Sequence, residues 1–328
     1  MGISYALTQN ILSPTILFFA LGVIAGFLKS DLDIPDQISR YLSIYLMMSI
    51  GFKGGVAIAQ APEINIQMIF VILLGVCTGF TQPFIGYFLL KRTTNLDPTT
   101  ASAVAAHYGS ISMVTFATAV SFLELNSVFY AGYIAAVLAL MEAPAILTGL
   151  FIAHKTNPNT LGKSKQIQSK LIREIFTNGA ILLLTGSFLI GCISGQNGME
   201  KMQAFLVAPF QGLLAFFLLD MGILVARQMH HVKEFSIKLI LFGIYMPIIG
   251  CLIGALISYA TGLDIGTGFL FMTLVASSSY IAVTAAMRLA LPQAKVSVYV
   301  PMTLAITFPF NVTLGIPFYF YVAQKILT

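Results

Sequence analysis

The chain has little charge. Of its 328 residues only 9% are Asp, Glu, Lys or Arg, against about 25% in an ordinary soluble domain. A water-facing surface of this size needs far more. The 58% apolar content excludes disorder as well. There is no tryptophan, so Tyr and Phe must occupy the interfacial positions Trp normally shares. The three cysteines, Cys77, Cys192 and Cys251, fall singly in apolar stretches. That spacing excludes a disulfide framework or a zinc site and predicts buried small hydrophobes. No HExxH and no nucleophile-elbow context is present, which argues against an intramembrane enzyme. The first ten residues carry no basic residue, so the first apolar run is expected to be a retained span rather than a signal peptide. What is left is a polytopic membrane protein.

Apolar runs of roughly 20 residues suffice for a crossing. Ten are predicted, at about 11–29, 38–60, 66–90, 100–122, 128–153, 173–194, 203–228, 236–260, 266–289 and 298–326. The longest polar stretch, His154–Arg173, divides the chain near its middle. With ten spans, 14 of the 17 basic residues fall on one side, leaving only Lys53, Lys201 and Lys325 on the other. The positive-inside rule then makes the rich side cytoplasmic and puts both termini outside. The expected location is the cytoplasmic (inner) membrane, crossed many times.

The halves echo one another weakly. Gly51 in SIGFKGG resembles Gly222 in LDMGILV. TQPFIG (81–86) resembles YMPIIG (245–250), and EAPAILTG (142–149) resembles TFPFNVTLG (307–315). Each half, 1–153 and 173–328 around a linker at 154–172, would hold five helices. An odd number forces the second half to enter from the opposite side, the inverted repeat of many secondary transporters. The expected fold is therefore all-α, ten transmembrane helices in two inverted five-helix repeats.

The fourth and ninth predicted helices carry polar text where lipid-compatible text is expected: HYGSISMVT from His107 and ASSSY from Ala276. Small residues of this kind serve close helix packing. They also suit a break, which exposes N–H groups at the start of one half-helix and C=O groups at the end of the other. The first attract anions and the second cations. Gly109, Ser110, Ser112, Ser277, Ser278 and Ser279 are the candidate ligands. Ionisable groups within spans are functional candidates too. Glu142, beside Pro144, could bind a cation or hold a proton. Asp220 could pair with Lys53, and His107 could relay a proton. Gln82, which precedes Pro83, could repair a freed backbone group, and Asn311 could offer a carbonyl oxygen to a cation.

The segments MSIGFKGGVAI, YGSISMVTFATAVSFLE, YIAAVLALMEAPAILTGL, FLLDMGI and ISYATGLDIGTGFLFMTLVASSSYIAV resemble the sodium-dependent bicarbonate transporter (SbtA-like) superfamily of bacterial membrane proteins. The likeness spans nearly the whole chain apart from the central loop. It implies a gate or scaffold domain of helices 1, 2, 6 and 7. It also implies a core domain of helices 3–5 and 8–10, with helices 4 and 9 broken and crossed. It further implies a homotrimer, elevator-like motion, and bicarbonate between the breaks at Gly109, Ser110 and Ser112 and at Ser277, Ser278 and Ser279. Sodium would sit near Ser110, Glu142 and Ser279. A PII-like cytoplasmic regulator known for the family would find only a short loop at 154–172. Tyr280 stands where the family has Asp.

The expected function is thus sodium symport of a small anion, bicarbonate or a small carboxylate, without an organic cofactor. The alternatives are a proton-coupled organic-anion carrier or cation/proton antiporter on the same plan, and a non-transporting membrane sensor. The last would need an output domain that the chain lacks.

Overall fold

A computed structural model describes residues 3–60, 66–156 and 179–327. Within the helices, the side chains of Glu142 and a few other residues lie outside that description. The described residues are helical throughout, with no strand. In order they form α1 (Ile3–Ile11), α2 (Pro14–Phe27), α3 (Asp36–Ala59), α4 (Ile66–Thr93), α5 (Pro98–Gly109), α6 (Met113–Leu125) and α7 (Ile134–Thr156). Then come α8 (Gly179–Met202), α9 (Phe210–Val232), α10 (Ile237–Ala260), α11 (Ile265–Ala276) and α12 (Ala282–Ala290). The last, α13 (Val296–Ile326), is one rod interrupted by π-turns at Met302–Thr307 and Asn311–Gly315.

Among the described residues 7 helical stretches are long and apolar enough to cross a membrane. One of them, Leu182–Val232, contains the seventh expected span and the later part of the sixth, whose first residues lie outside the described ones, and Pro98–Leu125 joins α5 and α6. α2 and α11 are apolar but shorter. α8 runs on to Met202, beyond the expected end at 194, and α9 begins at Phe210 rather than at 203, because Gln203–Val207 forms a π-turn between them. α1 was not expected. It is held to α13 by Asn10, whose side-chain amide donates to the carbonyls of Val312 (2.9 Å) and Thr313 (3.0 Å). Most of the linker expected at 154–172 lies outside the described residues.

The exterior is apolar, as lipid requires. Ile193, Leu256 and Leu182 are among the most exposed side chains. Tyr41 and Tyr259, both exposed, lie near the ends of α3 and α10, taking the interfacial role that Trp leaves open. Cys77 is exposed and Cys192 half-buried, so only Cys251 behaves as the buried small hydrophobe expected of all three.

Two glycine crossings organise the packing. α2 lies on α9, where a Cβ on Gly222 would stand 2.2 Å from the Phe19 carbonyl oxygen and one on Gly22 2.0 Å from that of Leu219. α3 lies on α8, where a Cβ on Gly55 would stand 1.9 Å from the Phe188 oxygen and one on Gly191 2.3 Å from that of Phe52. Only glycine lets backbones approach so closely. Gly51 also lies against α8, where its Cβ would stand 2.6 Å from the Leu184 oxygen, but Gly55 makes the closer approach. Gly55 and Gly222 are as far apart in the chain as Asp97 and Asp264, the residues that cap the starts of α5 and α11.

α4, α5 and α7 pack on one another, and α10 packs on α11 and on the π-turns of α13. Prolines bend these helices internally: Pro83 in α4, Pro144 in α7 and Pro247 in α10. Each such proline removes one backbone hydrogen bond.

Candidate functional site at two helix breaks

α5 and α11 are built alike. Each has 12 residues, begins after an aspartate and ends at a serine in extended conformation. The Asp97 side chain accepts from Thr100 N at 2.8 Å, and that of Asp264 from Thr267 N at 2.9 Å. Such caps stabilise a helix start by about 1 kcal/mol. At the other end Ser110 (φ −107, ψ 166) and Ser277 (φ −88, ψ 174) leave the helix. The chain resumes helix at Met113 and at Ala282. Both breaks are where the polar runs placed them.

The breaks lie against each other. Ser279 N donates to the His107 carbonyl at 3.0 Å, and Ser112 N donates to the Ser277 hydroxyl at 3.0 Å. The Ser277 hydroxyl in turn donates to the Leu274 carbonyl (2.9 Å), and the Ser112 hydroxyl accepts from Thr115 N (3.2 Å) as the N-cap of α6. Of the six candidate ligands, Ser112 and Ser277 thus have structural work. Gly109 is a close-approach point, since a Cβ there would stand 2.4 Å from Pro83 Cγ.

The hydroxyls of Ser110 and Ser278, one from each break, are buried and have no hydrogen-bond partner, as does that of Thr115. An unpartnered buried hydroxyl costs about 1–3 kcal/mol, and each break carries one. A cavity of about 40 Å³ is lined from the breaks by the residues next to them in the chain, Ile111–Val114 and Ser279–Ile281, and not by Ser110 or Ser278 themselves. Its opposite wall is Ser43 and Met47 of α3, Leu138 of α7 and Leu184 of α8. One water needs about 10–15 Å³ on such a measure, so the space suits a group of a few atoms. Among its lining residues there is no charged side chain. The starts of α6 and α12 border it instead, and the first-turn N–H groups of a helix lack partners within the helix. This leaves a mostly apolar, uncharged pocket with a few hydroxyls and two helix N-termini beside it.

The carbonyl ends are covered. The Gln82 amide donates to Val275 O at 2.7 Å, and the Asn311 amide to Ala276 O at 3.1 Å. The Asn311 side-chain oxygen accepts from the Tyr319 hydroxyl at 2.6 Å. Both amides therefore close the end of α11. Gln82 serves that helix rather than its own proline gap, and the Asn311 oxygen is already engaged.

His107 is fully buried. Its Nδ1 donates to the Ala103 carbonyl (2.6 Å), which leaves Nε2 as an acceptor 3.1 Å from the Thr284 hydroxyl. Thr284, with one proton, also faces the Tyr280 carbonyl at 2.8 Å. His107 thus ties α5 to the start of α12.

Lys53 and Asp220 do not meet. Lys53 pairs with Glu124 at the end of α6, and Glu124 also accepts from the Gln211 amide at 3.2 Å. Asp220 accepts from Ser39 near the start of α3. Glu142 lies on α7, its side chain outside the description. Thr284, Ser43 and Glu124 went unrecognised in the sequence, whereas Tyr280 stood out as the residue after the three serines.

An all-helical architecture with several apolar, membrane-length helices and two abutting helix breaks has the character of a membrane transporter. The chain belongs to the Na+-dependent bicarbonate transporter superfamily, whose family model matches residues 14–324. No curated protein matches it.

Proposed function

We propose that the protein carries bicarbonate, or a monoanion of similar size, into the cell together with sodium. The carrying observation is the pair of buried, unpartnered hydroxyls, Ser110 and Ser278, one from each of two abutting breaks. Two half-helix N-termini each contribute roughly half a positive charge. Together they match one negative charge without a fixed cation, whose burial would need its own compensation. Sodium, the co-substrate, would take oxygen ligands near Ser110 and Ser279, with Glu142 on α7 as the nearby carboxylate. Each ion lowers the other's cost in a low-dielectric centre.

The ten-span, inverted-repeat plan supports this reading. Matching caps on α5 and α11, matching serine exits and two matching glycine crossings are what such a repeat requires. In that plan α2, α3, α8 and α9 form a scaffold, and α4–α7 with α10–α13 form the moving core. The cavity lies where the core meets the scaffold at Ser43, Met47 and Leu184, the surface along which an elevator-like core would slide. Basic residues orient both termini outward.

The test is bicarbonate uptake into proteoliposomes with and without a sodium gradient. Sodium-driven uptake, weakened in Ser278→Ala and Ser110→Ala, is the expected result. Uptake indifferent to sodium and driven by a pH gradient would overturn the coupling. No anion uptake under either gradient would overturn transport.

A further inference from the structure

Tyr280 follows the three serines of the second break and lines the same cavity as Ser112 and Ser279. Two interactions hold its body to the core. Its ring meets the edge of Phe308 at a centroid distance of 5.7 Å. Its carbonyl accepts from Thr284, which in turn faces His107. Its tip is held differently. The phenolic O–H donates to the Met221 sulfur of α9 at 3.3 Å, and the Ser112 hydroxyl lies within reach. A thioether is a weak acceptor. The half-buried phenol therefore spends a good donor on a poor partner, beside a cavity whose far wall is largely apolar. A hydroxyl hydrogen reorients about its C–O bond without moving the ring, so the donor can be redirected from sulfur to an oxygen in the cavity.

We infer that Tyr280 is an affinity-determining ligand of the anion: its phenol exchanges the Met221 sulfur for an anionic oxygen when substrate binds. This rests on the transport reading above and names one more group of that site. A hydrogen bond to a charged acceptor is stronger than one to a neutral partner, so the exchange favours the bound state. As a neutral donor the phenol adds to the pull of the helix termini without adding a buried charge. It also reaches from the second break to the scaffold helix α9. The anion and α9 thus compete for one proton.

The experiment uses full-length protein in proteoliposomes, with bicarbonate as the probe. Tyr280→Phe keeps the ring and removes the O–H. It is expected to raise the half-saturating bicarbonate concentration about tenfold, with the maximal rate within about twofold. Met221→Leu removes the competing acceptor and is expected to lower half-saturation or leave it unchanged. An unchanged half-saturation in Tyr280→Phe, with an altered maximal rate, would make the phenol a strut between core and α9 and overturn the ligand role alone. A rise in half-saturation in Met221→Leu would overturn it equally, and this second variant stands if Tyr280→Phe does not fold. Absence of saturable bicarbonate uptake by the unaltered protein would instead refute the transport reading, and the ligand role with it.

Discussion

The glycine crossings offer the most direct test of the repeat. A methyl group on Gly222 would stand 2.2 Å from the Phe19 oxygen and 2.8 Å from Val23 N. Ordinary contact lies near 3.5 Å, so α2 and α9 would have to part by about 1 Å. Overpacking that forces backbone shifts costs about 1–3 kcal/mol, while Gly to Ala within a helix returns about 1 kcal/mol of propensity. Gly222→Ala should therefore lose up to about 2 kcal/mol. Gly55→Ala, at 1.9 Å from the Phe188 oxygen, should lose as much, because it occupies the equivalent crossing. Gly186 has nothing within 4 Å of its added Cβ, so Gly186→Ala should be neutral or gain up to about 1 kcal/mol. The assay is the fraction of detergent-solubilised protein that stays monodisperse after heating. The midpoints of the two crossing variants should fall by about 2–4 °C. If both crossing variants were as heat-resistant as Gly186→Ala, neither the close approach nor the equivalence drawn from it would stand.

Ser110→Ala and Ser278→Ala should each raise thermal stability, since an unpartnered buried hydroxyl is removed, and yet weaken anion affinity about tenfold. Opposite signs in the melting and uptake measurements are the signature; a loss in both would mean that the hydroxyls are structural. Asp97→Ala and Asp264→Ala should each cost about 1 kcal/mol in the same heating assay, and unequal costs would count against the equivalence of α5 and α11. Gln82→Leu should orphan the Val275 carbonyl and cost about 1–3 kcal/mol, readable as a lowered midpoint. Lys53→Met alone and Glu124→Gln alone should each destabilise more than the double variant, because each single change strands one partly buried partner.

The breaks could be read in the sequence because their residue types conflict with their setting. Hydroxyl-rich runs such as GSIS and ASSS stand out within apolar text, and both proved to interrupt helices. The register of the repeat was harder. Gly51, Gly54 and Gly55 lie within one helical turn and a half, and composition does not say which of them faces the partner backbone. Glu124 was overlooked because a carboxylate at the end of a span looks like punctuation; its partnership with Lys53 depends on how α3 and α6 meet. Asn311 and Gln82 were singled out for their polarity, but their targets, the carbonyls of α11, lie far away in the chain. Tyr280 was visible as an odd residue after three serines. The weak partner of its hydroxyl was not, since Met221 comes from a distant helix.

The direct hydrogen bonds between the two breaks, Ser279 N to His107 O and Ser112 N to the Ser277 hydroxyl, join them into one unit, and most of the cavity's polar groups ride on it. The opposing wall is mainly Met47, Leu138 and Leu184, which add little directional chemistry. In the elevator-like motion proposed above, a ligand held almost wholly by one body would meet nearly the same partners on whichever side that body faces, and its intrinsic affinity would be close to equal at the two membrane surfaces. A carrier without a coupling ion only equilibrates its cargo, whatever its affinity on each side. Uphill accumulation must draw on the gradient of a second ion, and with that gradient collapsed the same protein would equilibrate its cargo in either direction.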